Sequence, residues 1–142
     1  MNCRELEEGQ VIDCGSRSVS ADEIIAFAKA YDPQPMHIDP EQARSGRWGG
    51  LISSGWMTCA IAMERITAAV LKGSDCIGSP GVDEIRWEGP VRPGDVLAVR
   101  AIVLESRPSS NGKYWVVRLK WEVHNQHGER VMYLIGTTLF GR

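Results

Sequence analysis

Ser54-Gly55-Trp56-Met57-Thr58-Cys59-Ala60-Ile61-Ala62-Met63-Glu64-Arg65-Ile66-Thr67-Ala68-Ala69-Val70-Leu71-Lys72 is the segment on which the fold turns. Wound as an α-helix, it sends Trp56, Met57, Cys59, Ile61, Met63, Ile66, Val70 and Leu71 in almost every direction around its axis. Only Glu64 and Arg65 break the apolar coat from within. A helix coated on nearly all sides has to be buried on nearly all sides. At 1.5 Å per residue it is roughly 28 Å long, so something large must wrap around it. The sequence downstream supplies the wrapper. Tyr114 to Asn125 alternates, with Trp115, Val117, Leu119, Trp121 and Val123 on one face and Arg118, Lys120, Glu122 and His124 on the other, as a half-buried antiparallel strand does. Val96 to Glu105 and Val131 to Phe140 are similar runs, joined to it through Pro108-Ser109-Ser110-Asn111-Gly112 and Gln126-His127-Gly128, which read as hairpin turns. Val82 to Val91 makes a fourth strand, ended by Pro93-Gly94-Asp95.

Upstream, Val11 to Val19 predicts a first strand, and Ser20 followed by Glu23 has the capping-box spacing that opens a helix. Ile24, Phe27, Ala28 and Tyr31 give that helix one apolar stripe. It stops near Asp32, because Pro33 and Pro35 donate no backbone hydrogen bond and push the preceding residues toward extended geometry. A rigid, irregular loop to about Gly50 follows. The order is strand, short helix, loop, long apolar helix, then four strands. It predicts an α+β fold, a curled antiparallel sheet around one central helix, as one domain over residues 1–142.

Sixteen basic and eighteen acidic residues give a net charge of −2, with neither sign gathered into a block. The expectation is no nucleic-acid partner and no membrane partner. Cys3, Cys14, Cys59 and Cys76 lack CxxC spacing, so neither a zinc site nor a disulfide framework is expected. Met1 to Gln10 carries charges and no apolar run, and no stretch has the roughly 18 apolar residues of a bilayer span, so the expected location is the cytoplasm.

Three segments resemble the MaoC-like hydratases, relatives of the (R)-specific enoyl-CoA hydratases. Tyr31-Asp32-Pro33-Gln34-Pro35-Met36-His37-Ile38-Asp39-Pro40-Glu41-Gln42-Ala43 resembles the family's D-x-x-P-x-H-x-D segment, with Gln34 where Asn is frequent. Gly49-Gly50-Leu51-Ile52-Ser53-Ser54-Gly55-Trp56-Met57-Thr58 is similar to the approach to its central helix, with Ser54 where His is frequent. Trp87-Glu88-Gly89-Pro90-Val91-Arg92-Pro93-Gly94-Asp95 resembles its later P-V-x-P-G-D turn. The resemblance implies a hot-dog fold, a homodimer or a dimer of dimers, no metal or cofactor, and a tunnel for an acyl-CoA or acyl-carrier thioester. It implies Asp32 and His37 as the catalytic pair of a lyase that hydrates an enoyl thioester.

That chemistry needs a base for water, an acid for the α-carbon and a donor for the enolate oxygen. Asp32 and His37 sit in a loop stiffened by two prolines, which lowers the entropy of holding both around one water. The N-terminus of the buried helix presents unpaired N–H groups and a partial positive charge, and Gly55, lacking a Cβ, admits a carbonyl oxygen close to the backbone. Ser53 and Ser54 are helix caps first and ligand contacts second. Trp56 shapes the pocket. Trp48 either lines the acyl channel or anchors the loop, and Arg44 and Arg47 either meet CoA phosphates or are simply solvated. Asp39 is a cap for Glu41 to Arg44, Trp115 and Trp121 are core, and His124 and His127 are exposed and have no role. Two rivals stay open: a hot-dog thioesterase, and a non-catalytic acyl-CoA-binding subunit.

Overall fold

The computed structural model describes residues 2–141. A single turn of 3-10 helix, Cys3–Glu5, precedes strand β1 (Val11–Ser18) and helix α1 (Ala21–Tyr31). The Ser20–Glu23 capping box forms as expected, each side chain accepting from the other residue's backbone N–H. Ile24 and Ala28 of α1 are fully buried, but Tyr31 is 76% exposed and leans on Phe27, so the expected stripe stops one turn short.

The stretch expected to be irregular contains two short helices, α2 (Pro35–Ile38) and α3 (Pro40–Arg44). Their prolines stand at helix starts, where a missing N–H costs nothing. Asp39 caps α3 by accepting from the N–H groups of Glu41 and Gln42. The central segment is α4 (Gly55–Ile66), which widens into a π-helical turn over Thr67–Leu71 closed by Lys72 N–H to Thr67 O at 2.7 Å.

Four strands follow: β2 (Cys76–Trp87), β3 (Val96–Pro108), β4 (Trp115–His124) and β5 (Arg130–Phe140). They join β1 in one antiparallel sheet of order β1-β3-β4-β5-β2. Strands β1 and β2 thus form opposite edges, and the helices cross between them. Register shifts in β1, β2, β3 and at the end of β4 curl the sheet. In β2 the curl needs Gly78 and Gly81, at φ 145° and 150°, values L side chains rarely adopt.

The expected architecture holds: α4 lies in the concave face of a hot-dog sheet. Ile61, Ala62, Ile66 and Val70 pack there against Leu97, Val99 and Val103 of β3, Leu119 and Val123 of β4 and Met132 of β5, all at 5% exposure or less. Burying each large side chain contributes roughly 1.5–3 kcal/mol. The expectation of burial all round is corrected on one face. Trp56 and Met63 are 57% and 38% exposed, and Ile77, Val82 and Trp87 of edge strand β2 are exposed as well.

A second correction concerns β4. Glu122, assigned to the solvent face, is buried at 4% under Arg100 of β3, Arg130 of β5 and Lys120. Trp115 and Trp121 do pack on the core. All four cysteines are free thiols. Among the described residues, no helix is long and apolar enough to cross a membrane, and no group of three or more His, Cys, Asp and Glu side chains is placed to hold a metal ion.

Candidate active site

The N-terminus of α4 is held by two neighbours. Ser53 N–H donates to Val91 O at 2.8 Å, tying it to the Pro90-Val91 segment, and Ile52 N–H donates to Met36 O at 3.1 Å, tying it to α2. These bonds bring the Asp32-to-His37 segment, the start of α4 and the end of β2 to one place. A cavity of about 440 Å³ opens between them.

His37 is buried at 5%. Its Nδ1 lies 2.7 Å from the Ile52 carbonyl, which can only accept, so Nδ1 carries the hydrogen and the neutral ring keeps its lone pair on Nε2. Nε2 faces Asp32 Oδ2 at 3.4 Å. Asp32 caps the end of α1, its N–H donating to Ala28 O at 2.8 Å. Gln34 Nε2 donates to its Oδ1 and Ser54 Oγ to its Oδ2, each at 2.7 Å. The Gln34 and then the Ser54 hydrogen bond hold the Asp32 carboxyl below its ordinary range, against the opposing effect of burial. Asp32 is therefore a carboxylate at neutral pH, with Nε2 of the His37 imidazole beside it.

The cavity lining includes six of the seven residues named from sequence: Asp32, His37, Trp48, Ser53, Gly55 and Trp56. Ser54 stands behind the carboxylate. It caps α4 by accepting from Trp56 N–H at 3.3 Å while its hydroxyl proton goes to Asp32. Gly55 is the first residue of α4, where an N–H has no acceptor within the helix.

A further reason for glycine there comes from packing. A Cβ on Gly55 would lie 2.5 Å from the Trp87 indole, so the ring occupies the side of Gly55 on which any other residue would carry its side chain. Trp87 Nε1 also donates to Gly55 O at 2.9 Å, and its ring meets Trp56 edge-on with centroids 5.1 Å apart.

Sequence reasoning missed Trp87, Glu88 and Thr58 as lining residues and left the purpose of Gln34 undecided. Trp87 and Glu88 directly precede the Gly89-Pro90-Val91 segment, which was the available signal. Glu88 is held by a two-point ion pair with Arg130, at 2.6 and 3.0 Å, which keeps its carboxyl below the ordinary range and neutralises the rim. Trp48 lines the cavity, and its carbonyl accepts from Arg92 at 2.7 Å.

A curled antiparallel sheet around a helix, with Asp32 and His37 side by side at the helix tip, is the architecture of a hot-dog protein. The model of the MaoC like domain matches residues 5–125, and the chain belongs to that family. A solved MaoC-like dehydratase from Rhodospirillum rubrum is 37% identical, with TM-score 0.88 over 98% of this chain and 95% of that one. The uncharacterized protein YdeM of Bacillus subtilis is 37% identical over 78% of this chain and 79% of its own length. The 3-hydroxyacyl-thioester dehydratase Z of Mycobacterium tuberculosis is 29% identical over 67% of this chain and 64% of its own.

Proposed function

We propose that this chain is a cytoplasmic hydro-lyase that reversibly hydrates a trans-2-enoyl thioester, carried on CoA or an acyl carrier, to a 3-hydroxyacyl thioester. One observation carries the reading: Asp32, an ionised carboxylate, lies 3.4 Å from Nε2 of His37 at the tip of α4. A water on the cavity side of the pair, within reach of both, gives one hydrogen to Nε2 of the neutral imidazole and donates the other to the carboxylate. As its O–H bond breaks, its oxygen bonds to C3 of the enoyl group and the C2=C3 pair moves toward the thioester oxygen. The Gly55 N–H and the positive end of α4 stabilise that oxygen. His37 then returns the proton to C2, so water adds with nothing left over. The reverse sequence is the dehydration named for the mycobacterial relative.

The active form is proposed to be a homodimer, built on the exposed strip of Trp56, Met63, Ile77, Val82 and Trp87. The test is to follow crotonyl-CoA and longer enoyl-CoA substrates with the purified protein. Loss of enoyl absorbance without thiol release is expected, and Asp32→Asn and His37→Ala should each lose about 100-fold or more of kcat. Thiol release would indicate a thioesterase, binding without turnover an acyl-binding subunit, and full activity in both variants would remove the pair from catalysis.

A further inference from the structure

The cavity beside Asp32 and His37 is not the only one along α4. A second, of about 350 Å³, lies farther along the same helix and strand β2, lined by Met63, Leu71, Cys76, Val82, Trp121 and Leu134 among others. Among the described residues, the Cys76 thiol is the only ionisable group in its lining, and the two linings share no residue. From Gly55 at one to Met63 at the other is roughly 12 Å along the helix.

What separates them can be located from the strand register. Val82 pairs with Gly136 and Ile85 with Leu134, and Val82, Gly136 and Leu134 belong to the second cavity. The next inward rung is Trp87 opposite Met132. Trp87 belongs to the first cavity, while Met132 is fully buried against Cys59, Sδ to Sγ 3.5 Å. Along β2, the Trp87 indole is thus the part of the first cavity's lining nearest to the second cavity. It is fastened to the helix by the bond from Nε1 to Gly55 O, pressed where a Cβ would be and braced by Trp56. At 45% exposure it is no ordinary core tryptophan.

We infer that Trp87 sets acyl-chain length: its indole closes the catalytic cavity at the Gly55 end and keeps the acyl tail out of the second, apolar cavity. This rests on the enoyl-thioester reading above. The protein as it stands takes short acyl groups, and a smaller residue at 87 joins the two cavities into one slot for a medium-chain tail.

The measurement is kcat/KM for crotonyl-CoA and trans-2-octenoyl-CoA in wild type, Trp87→Leu and Trp87→Ala, with the fold checked by circular dichroism. Wild type should prefer the four-carbon substrate by about tenfold or more, and both variants should move the ratio toward the eight-carbon substrate by about tenfold or more. Adding Leu134→Phe, which fills the second cavity, should cancel that gain. Calorimetric titration with butyryl- and octanoyl-CoA, which cannot be hydrated, reads the same barrier independently of turnover. A wild type without hydratase activity whose Trp87→Ala variant gains affinity for octanoyl-CoA would sink the reaction and keep the barrier. An unchanged octenoyl-to-crotonyl ratio in active variants, as when a partner side chain occupies the second cavity, would overturn the inference.

Discussion

Asp32 depends on two short donors, and each can be removed without touching the carboxylate. Ser54→Ala takes one hydrogen bond from Oδ2, and Gln34→Leu takes one from Oδ1. Both bonds favour the charged form, so losing either raises the Asp32 pKa toward the ordinary carboxylate value. In the proposed mechanism only the carboxylate orients water, so activity falls as pH drops through that pKa. The acid limb of the kcat/KM profile should therefore move to higher pH in each variant, and farther in the double variant. A limb that stays put would separate these donors from the chemistry. Asp32 and His37 were legible in the sequence because their spacing and the intervening prolines are a written motif. The clamp was not. It depends on Asp32 leaving α1 at φ −153° and ψ 67°, which lets the Gln34 amide turn back on it, and on Ser54 arriving from a segment 22 residues away.

Elements fit one another through single side chains, and α4 meets β2 through Gly55 and Trp87. Gly55→Ala places a methyl carbon 2.5 Å from the indole, a clash neither a helix start nor a strand end absorbs. The variant should lose about 1–3 kcal/mol in chemical denaturation. Trp87→Ala in the same chain should recover most of that loss, a coupling a double-mutant cycle isolates. On the outer face of the sheet, burial alone would raise the Glu122 carboxyl, but hydrogen bonds from Arg100 and Arg130 outweigh it and hold the pKa at about 2. A folded-state value below the ordinary carboxylate one contributes stability that is complete above about pH 5 and lost as pH falls toward the folded value. Glu122→Gln should thus cost about 2–3 kcal/mol at pH 7, with the difference from wild type shrinking between pH 5 and 2. Equal stabilities at pH 7 would make the network ornamental. Alternation in β4 showed where the strand runs but not that Glu122 is covered. That depends on register, which sets Arg100 opposite it on one side and Tyr133 on the other, and one strand's pattern carries no register.

At the scale of the whole molecule, the central helix was recognisable because its coat exceeds what one sheet can cover. The excess marks what the chain alone does not supply. Trp56, Met63, Ile77, Val82 and Trp87 lie along α4 and the outer edge strand β2, each 38% exposed or more. Exposed apolar side chains beside unpaired strand edges favour association, and a net charge of −2 opposes it only weakly. A second copy related by two-fold symmetry would cover the strip with its own, since a symmetric interface uses the same patch twice. Light scattering on the purified protein should accordingly give twice the chain mass of 15.7 kDa. Met63→Lys with Val82→Lys puts charges at two points of the strip while sparing Asp32, His37 and the buried core. That variant should run as a monomer with an unaltered far-ultraviolet spectrum. A wild type that stays monomeric at high concentration would mean the strip is covered by something other than this chain.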